Sequence, residues 1–155
     1  MTTLWTIGYQ GYGPDAWLRR VLAEGIELVA DVRQLPRSRR PGFSKKALAE
    51  RLEAVGVRYV SMREFGAPPE LRIPLREGSL PFSGFAPAFR RLLEGRAEEL
   101  DALLRLARTR RTCLLCWEED PRRCHRSLVA EALGQRARRS RPSDGVEVVH
   151  LRRDG

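Results

Sequence analysis

Apolar residues along the chain fall into two alternating kinds of grouping. Short dense runs read as strands: Leu4–Ile7 (LWTI), Leu28–Val32 (LVADV), Val57–Val60 (VRYV), Thr112–Trp117 (TCLLCW) and Val146–Val149 (VEVV). Between them the apolar positions are spaced for helices. Pro14 suits a first helical turn, Ala16, Trp17, Val21 and Leu22 make a stripe, and Gly25 stops it. Ser44 is placed to cap a helix carrying Leu48, Leu52 and Val55, which Gly56 ends. A helical region starts near Ala86, breaks near Gly95 and resumes with Leu100, Leu103, Leu104 and Ala107 on one face. A last helix runs from about Arg123 with Leu128, Val129, Ala132 and Leu133. Residues 61–84 hold Pro68, Pro69, Pro74 and Pro81 with Gly66, Gly78 and Gly84, and read as one long irregular loop.

Strands alternating with helices predict a single α/β domain across residues 1–155. The expected architecture is a mostly parallel sheet flanked by helices, a Rossmann-like three-layer sandwich. The run at 112–117 is apolar throughout, as suits a strand covered on both faces. In open parallel sheets ligands bind beyond the carboxyl ends of the strands. Those ends fall at Gly8–Tyr9, Asp31–Arg33, Ser61–Arg63 and Cys116–Glu118.

Charge sharpens this picture. The net charge is +9, and of 29 basic residues all but Lys45 and Lys46 are arginine. Arginine's planar fork pairs bidentately with phosphate or carboxylate, so an anionic partner is expected; a solvated basic surface is the plainer alternative. The opening MTTLWTIGYQG has no basic segment leading into an apolar core, and no apolar run approaches the roughly 20 residues of a membrane helix. Three cysteines, an odd number, suit a reducing compartment. A cytoplasmic protein without membrane contact is expected.

The reactive residues are concentrated. CLLCWEEDPRRCHR, Cys113–Arg126, holds all three cysteines and one of the two histidines. Zinc is one reading of it. Cys113 and Cys116, three apart on a strand, should face opposite sides, and adjacent Cys124 and His125 should point differently, so no metal or cofactor is expected. The spacing from Cys116 to Arg122 matches phosphate-binding cysteine loops. Glu118, Glu119 and Asp120 would repel a phosphate there, and the glycines such a loop needs are missing. A third reading starts from the helix terminus. Cys124, His125 and Arg126 sit at the start of a helix, whose field favours an anion and a thiolate. There Cys124 or His125 would do nucleophilic or proton-transfer work, Glu118 would orient them, and Arg126 would hold the anion. The fourth reading is structural: acids that cap the helix and pair with arginines, around a packed histidine and cysteine.

A second cluster follows the second strand, DVRQLPRSRRPGFSKK. Asp31 and Arg33 share a face of that strand, and two charges at a buried strand end need partners or a ligand. Arg37, Arg39, Arg40, Lys45 and Lys46 follow with Phe43 among them, a pattern also found on nucleic-acid surfaces; a charged, solvated loop that binds nothing, with Phe43 as a core anchor, is the equal alternative. Tyr9, at the end of the first strand, is placed to line the same site.

Four segments together, TIG at the first strand, LVADVRQLPRSRRPGF, VGVRYVSMREFGAP and LLCWEEDPRRCHRSLVAEAL, resemble the domain-of-unknown-function 488 family from Thr6 to Leu133. The resemblance implies an α/β domain with signature positions at Asp31, Arg33, Pro36, Ser38, Cys116, Glu118, Cys124, His125 and Arg126. It implies no particular reaction. Many members read G-H-S after the first strand, where this chain has Gly8-Tyr9-Gln10.

The expectation is therefore a pocket at the strand carboxyl ends that takes a phosphate-bearing ligand, a nucleotide or a nucleic-acid end. Arg33, Arg126, Asp31, Tyr9, Arg37 and Ser38 would bind it, and Cys124, His125 and Glu118 would react. The alternative is a non-catalytic nucleic-acid-binding module using the 37–46 loop and the basic stretch at 136–141.

Overall fold

The computed structural model describes residues 1–153. Five strands, β1 (Thr2–Gly8), β2 (Leu28–Asp31), β3 (Arg58–Ser61), β4 (Thr112–Cys116) and β5 (Val146–Leu151), form one sheet in the order β3-β2-β4-β1-β5. Every pairing is parallel, with Gly8 level with Cys116 and Asp31 level with Leu115.

Helices cover both faces. Trp17 and Val21 of α1 (Pro14–Ala23) and Leu48 and Leu52 of α2 (Lys45–Glu53) pack on Trp5, Ile7, Val29, Cys113 and Leu115. On the other face α4 (Phe82–Glu94), α5 (Ala97–Thr109) and α6 (His125–Ser140) pack on Leu4, Leu28, Ala30, Leu114 and Cys116. The alternation along β4, with Cys113 and Leu115 in one core and Leu114 and Cys116 in the other, is the two-residue repeat of an extended chain. The three-layer α/β sandwich is thus what the chain adopts. Among the described residues no helix is long and apolar enough to cross a membrane.

The stretch at 61–84 differs from expectation. It contains a 3-10 turn (Arg63–Phe65), helix α3 (Pro69–Glu77) and the start of α4. Its prolines serve helix ends: Pro69 occupies the first turn of α3, Pro68 and Pro81 are the residues before α3 and α4, and Gly78 closes α3 with φ +85°. Leu71 and Leu75 pack against the core, and that burial stabilises a helix despite Pro74 within it. Leu22 and Val55, counted into apolar stripes, are exposed, Val55 because α2 ends at Glu53.

Connectivity locates the site. The chain leaves β1 and β2 toward the α1/α2 face but leaves β4 toward α6 on the other. The loops beyond β4 therefore diverge from those beyond both its neighbours, β1 and β2, and a crevice opens where they part.

Candidate functional site

A cavity of about 350 Å³ fills that crevice. It is lined by Tyr9 beyond β1, by Arg33, Gln34, Arg37, Ser38 and Arg39 beyond β2, and by Cys116, Trp117 and Glu118 at the end of β4. His125 at the start of α6, Phe85 of α4 and Arg72 and Arg76 of α3 complete it.

The wall beyond β2 is rigid. Asp31 is fully buried and accepts from Arg33 Nε (2.8 Å) and Nη2 (2.7 Å) and from the Tyr59 hydroxyl (2.5 Å). Arg33 gives its third nitrogen to the carbonyl of Phe43 at 2.8 Å. Its burial opposes the charge, but the bond to Asp31 and that carboxylate's field keep its pKa above the ordinary value. Burial and then the Asp31 carboxylate push the Tyr59 phenol up. Tyr9 stacks on Phe43 with ring centroids 4.7 Å apart, and Arg33 and Arg40 lie over its face. Ser38 Oγ accepts from the backbone of Arg40 at 3.1 Å.

Floor and roof come from the loop after β4. Arg126 is fully buried. It donates from Nε to Thr6 Oγ1 (3.1 Å), from Nη1 to the carbonyl of Glu118 and from Nη2 to that of Glu119 (3.1 Å). It has no carboxylate in ion-pair contact among the described residues, and burial lowers its pKa to about 10. Gly8 makes room for the same loop: a Cβ there would stand 1.8 Å from the Glu118 carbonyl oxygen. Arg126 therefore positions the loop from behind rather than reaching into the cavity.

At the floor, Cys116 Sγ lies 3.0 Å from Glu118 Oε2 and 3.8 Å from His125 Nδ1. Cys116 and Cys124 are paired as a disulfide, which the odd cysteine count did not suggest, and Cys113 is the free cysteine among the described residues. His125 Nε2 sits 2.8 Å from the carbonyl oxygen of Val32. Burial lowers the His125 pKa, opposed by the bond to Val32 and the field of Glu118.

Of the residues named from sequence, Tyr9, Arg33, Arg37, Ser38, Glu118 and His125 line the cavity. Asp31, Cys124 and Arg126 stand behind it, each fully buried. The cysteine facing the cavity is Cys116. Its place at the end of β4, with its side chain on the α6 face, was the available signal. Arg72 and Arg76 were not expected, because they lie on a helix hidden in the supposed loop. The two grounds for setting zinc aside fare differently. Cys113 does face the opposite core from Cys116. But Cys124 is extended (φ −128°, ψ 139°) while His125 begins α6, so these neighbours converge on one point.

Of the two basic stretches read as a nucleic-acid surface, 37–46 includes Arg37 and Arg39, which line the cavity, and 136–141 covers the last turns of α6 and the residue after it.

The family model for the domain of unknown function DUF488 matches residues 15–133. The chain belongs to this family. No curated protein and no solved structure matches it. Where many DUF488 members read G-H-S, this one places Tyr9 against Phe43 and turns Gln10 Oε1 to the backbone N–H of Glu119 at 3.0 Å. In this DUF488 chain the imidazole at the site is supplied by His125.

Proposed function

We propose that this DUF488 protein is an enzyme acting on a phosphate-bearing ligand of mononucleotide size, free or at the end of a nucleic acid. One observation carries the reading. Five arginines (33, 37, 39, 72 and 76) surround a cavity whose only lining carboxylate among the described residues is Glu118, and the Cys116 sulfur, that carboxylate and the His125 imidazole converge at its floor.

The arginines are unequally committed. Arg33 is held by Asp31; Arg72 donates to Gln34 Oε1 (2.7 Å) and the Ala67 carbonyl (3.0 Å); Arg76 lies 4.8 Å from the ring centroid of Trp117. Burial and then the neighbouring Arg76 lower the Arg72 pKa, opposed by Glu70. The side chains of Arg37 and Arg39 have no hydrogen-bond or ion-pair partner among the described residues and are free to close on a ligand. Half-buried Trp117 offers apolar surface for a base or similar ring, backed by the buried rings of Tyr9 and Phe85 in the cavity wall. Cys116, Glu118 and His125 then serve as the nucleophilic and proton-transfer groups. In the cytoplasm, the location this reading takes, Cys116 and Cys124 would be kept reduced.

The test is fluorescence anisotropy with labelled DNA and RNA oligonucleotides, with and without a terminal phosphate, at two salt concentrations. Mononucleotides are expected to compete, and the Arg37→Ala/Arg39→Ala double variant to bind roughly tenfold more weakly or worse, two charge-assisted contacts being lost. If the double variant binds like wild type and salt abolishes both alike, the attraction is a diffuse surface effect and the reading fails.

A further inference from the structure

Beneath the arginines, Cys116 and His125 of the cavity floor form a tighter cluster with Cys124. The Sγ atoms of Cys116 and Cys124 and Nδ1 of His125 all lie within 4.8 Å of one another. His125 Nδ1 stands 3.8 Å from one sulfur and 3.9 Å from the other. Zinc bonds of about 2.3 Å to sulfur and 2.0 Å to nitrogen, at tetrahedral angles, place sulfur and nitrogen about 3.5 Å apart. The observed separations fall within a few tenths of an ångström of that value.

The imidazole is also prepared for a ligand. A carbonyl only accepts, so the bond to Val32 fixes the proton on Nε2 and leaves the Nδ1 lone pair aimed between the sulfurs. A backbone carbonyl behind the ring is the usual outer partner of a metal-binding histidine. The Cα atoms of Cys116 and Cys124 are 7.5 Å apart, wider than the roughly 4.4–6.8 Å of most disulfides. Two thiolates on one tetrahedral ion need their sulfurs about 3.8 Å apart, so loading parts the pair. Charge balances as well. Two thiolates neutralise a divalent ion, and the Glu118 carboxylate is offset by the buried cation of Arg126, which grips the same loop.

We propose that Cys116, Cys124 and His125 bind a zinc-class divalent ion, with its fourth position open to the arginine-lined cavity. Three protein ligands and one open position mark catalytic rather than structural zinc sites. Cys116 and His125 line the cavity with Glu118, whose Oε2 lies 3.0 Å from Cys116 Sγ. The ion converts Cys116 and His125 from reactants into ligands and leaves Glu118 as the acid–base group. Its role would be to polarise a phosphoryl oxygen. That role rests on the phosphate reading above; binding of the ion does not.

The experiment is titration of the reduced, metal-free, untagged chain with Co²⁺, followed by absorption spectroscopy, and metal analysis of the chain as purified under reducing conditions. The expected result is one ion per chain, a thiolate-to-cobalt charge-transfer band and the intense visible bands of a tetrahedral site. Cys116→Ser and Cys124→Ser should each lose the charge-transfer intensity of one thiolate. His125→Gln should weaken Co²⁺ binding by about tenfold or more. Cys113→Ala, on the opposite face of β4, should leave the spectrum unchanged and shows whether a core cysteine can be replaced without unfolding. A folded wild-type chain with free thiols that gives no charge-transfer band overturns the proposal. So does a Cys116–Cys124 disulfide that survives reductant, or a band unaffected by Cys124→Ser in a folded variant. Binding of a labelled mononucleotide is measured on the metal-free and the Co²⁺-loaded chain. Cobalt bound without the nucleotide sinks the phosphate reading alone, and the nucleotide bound without cobalt sinks the metal site alone.

Discussion

His125 Nε2 stands 2.8 Å from the carbonyl oxygen of Val32, and this bond between the start of α6 and the end of β2 decides which ring nitrogen faces the cysteines. Long-range ¹⁵N–¹H spectra of the reduced, metal-free chain should show the Nε2-protonated tautomer. A spectrum of the Nδ1-protonated form would contradict the geometry.

Asp31 is the only acid in ion-pair contact with buried Arg33 among the described residues, and it also takes the hydroxyl of Tyr59. Asp31→Asn leaves a cation uncompensated in a dry strand end. We expect a loss of about 3–5 kcal/mol in urea unfolding. A loss under about 1 kcal/mol would mean that water reaches this pair in solution.

Arg126 fastens the 117–120 loop through two carbonyls and Thr6. Arg126→Met keeps the bulk and removes every donor. Its expected cost is about 2–4 kcal/mol, from acceptors left unpartnered. Arg126→Lys should recover only part of it, since one ammonium cannot span acceptors placed for a planar fork. Full recovery with lysine would show that charge alone matters there.

Gly8 is fixed by space, not by its dihedral angles. A Cβ at this position would stand 1.8 Å from the Glu118 carbonyl oxygen, so the loop must move or the strand must slip to admit one. Gly8→Ala is expected to cost about 2 kcal/mol or more in thermal or urea melts. A variant as stable as wild type would show that the loop gives way freely.

His150 links stability to pH. Its Nδ1 lies 2.6 Å from Thr6 Oγ1, the same hydroxyl that accepts from Arg126. Thr6 therefore donates onward, and Nδ1 must be unprotonated to receive. Partial burial, then Arg126 and Arg152, holds the His150 pKa below its ordinary value. Below about pH 6.5 the unfolded chain gains a proton at this position that the folded chain resists, so stability falls as the solution is acidified. Urea midpoints at pH 7.5 and 5.5 should show that fall, and His150→Gln should reduce it. An identical pH dependence in the variant would remove His150 from the account.

Much of this was legible in the chain itself. The two-residue repeat of β4 and the helical stripes of α5 and α6 are local signals, so the α/β class, the strand ends and the place of 116–126 at one of those ends followed from them. Prolines misled at 61–84, because Pro69 reads the same in a loop as in a first helical turn; only the packing of Leu71 and Leu75 decides. The sequence also determined which residue types were available: a thiol-rich loop, a surplus of arginine and a lone acid–histidine set between them. What it left undetermined was direction. Whether Arg126 points at a ligand or at Glu118, and whether Cys116 or Cys124 faces the cavity, depends on how α6 docks against β2 and β4. Docking is a sum of contacts between segments far apart in the chain, and no local pattern carries it.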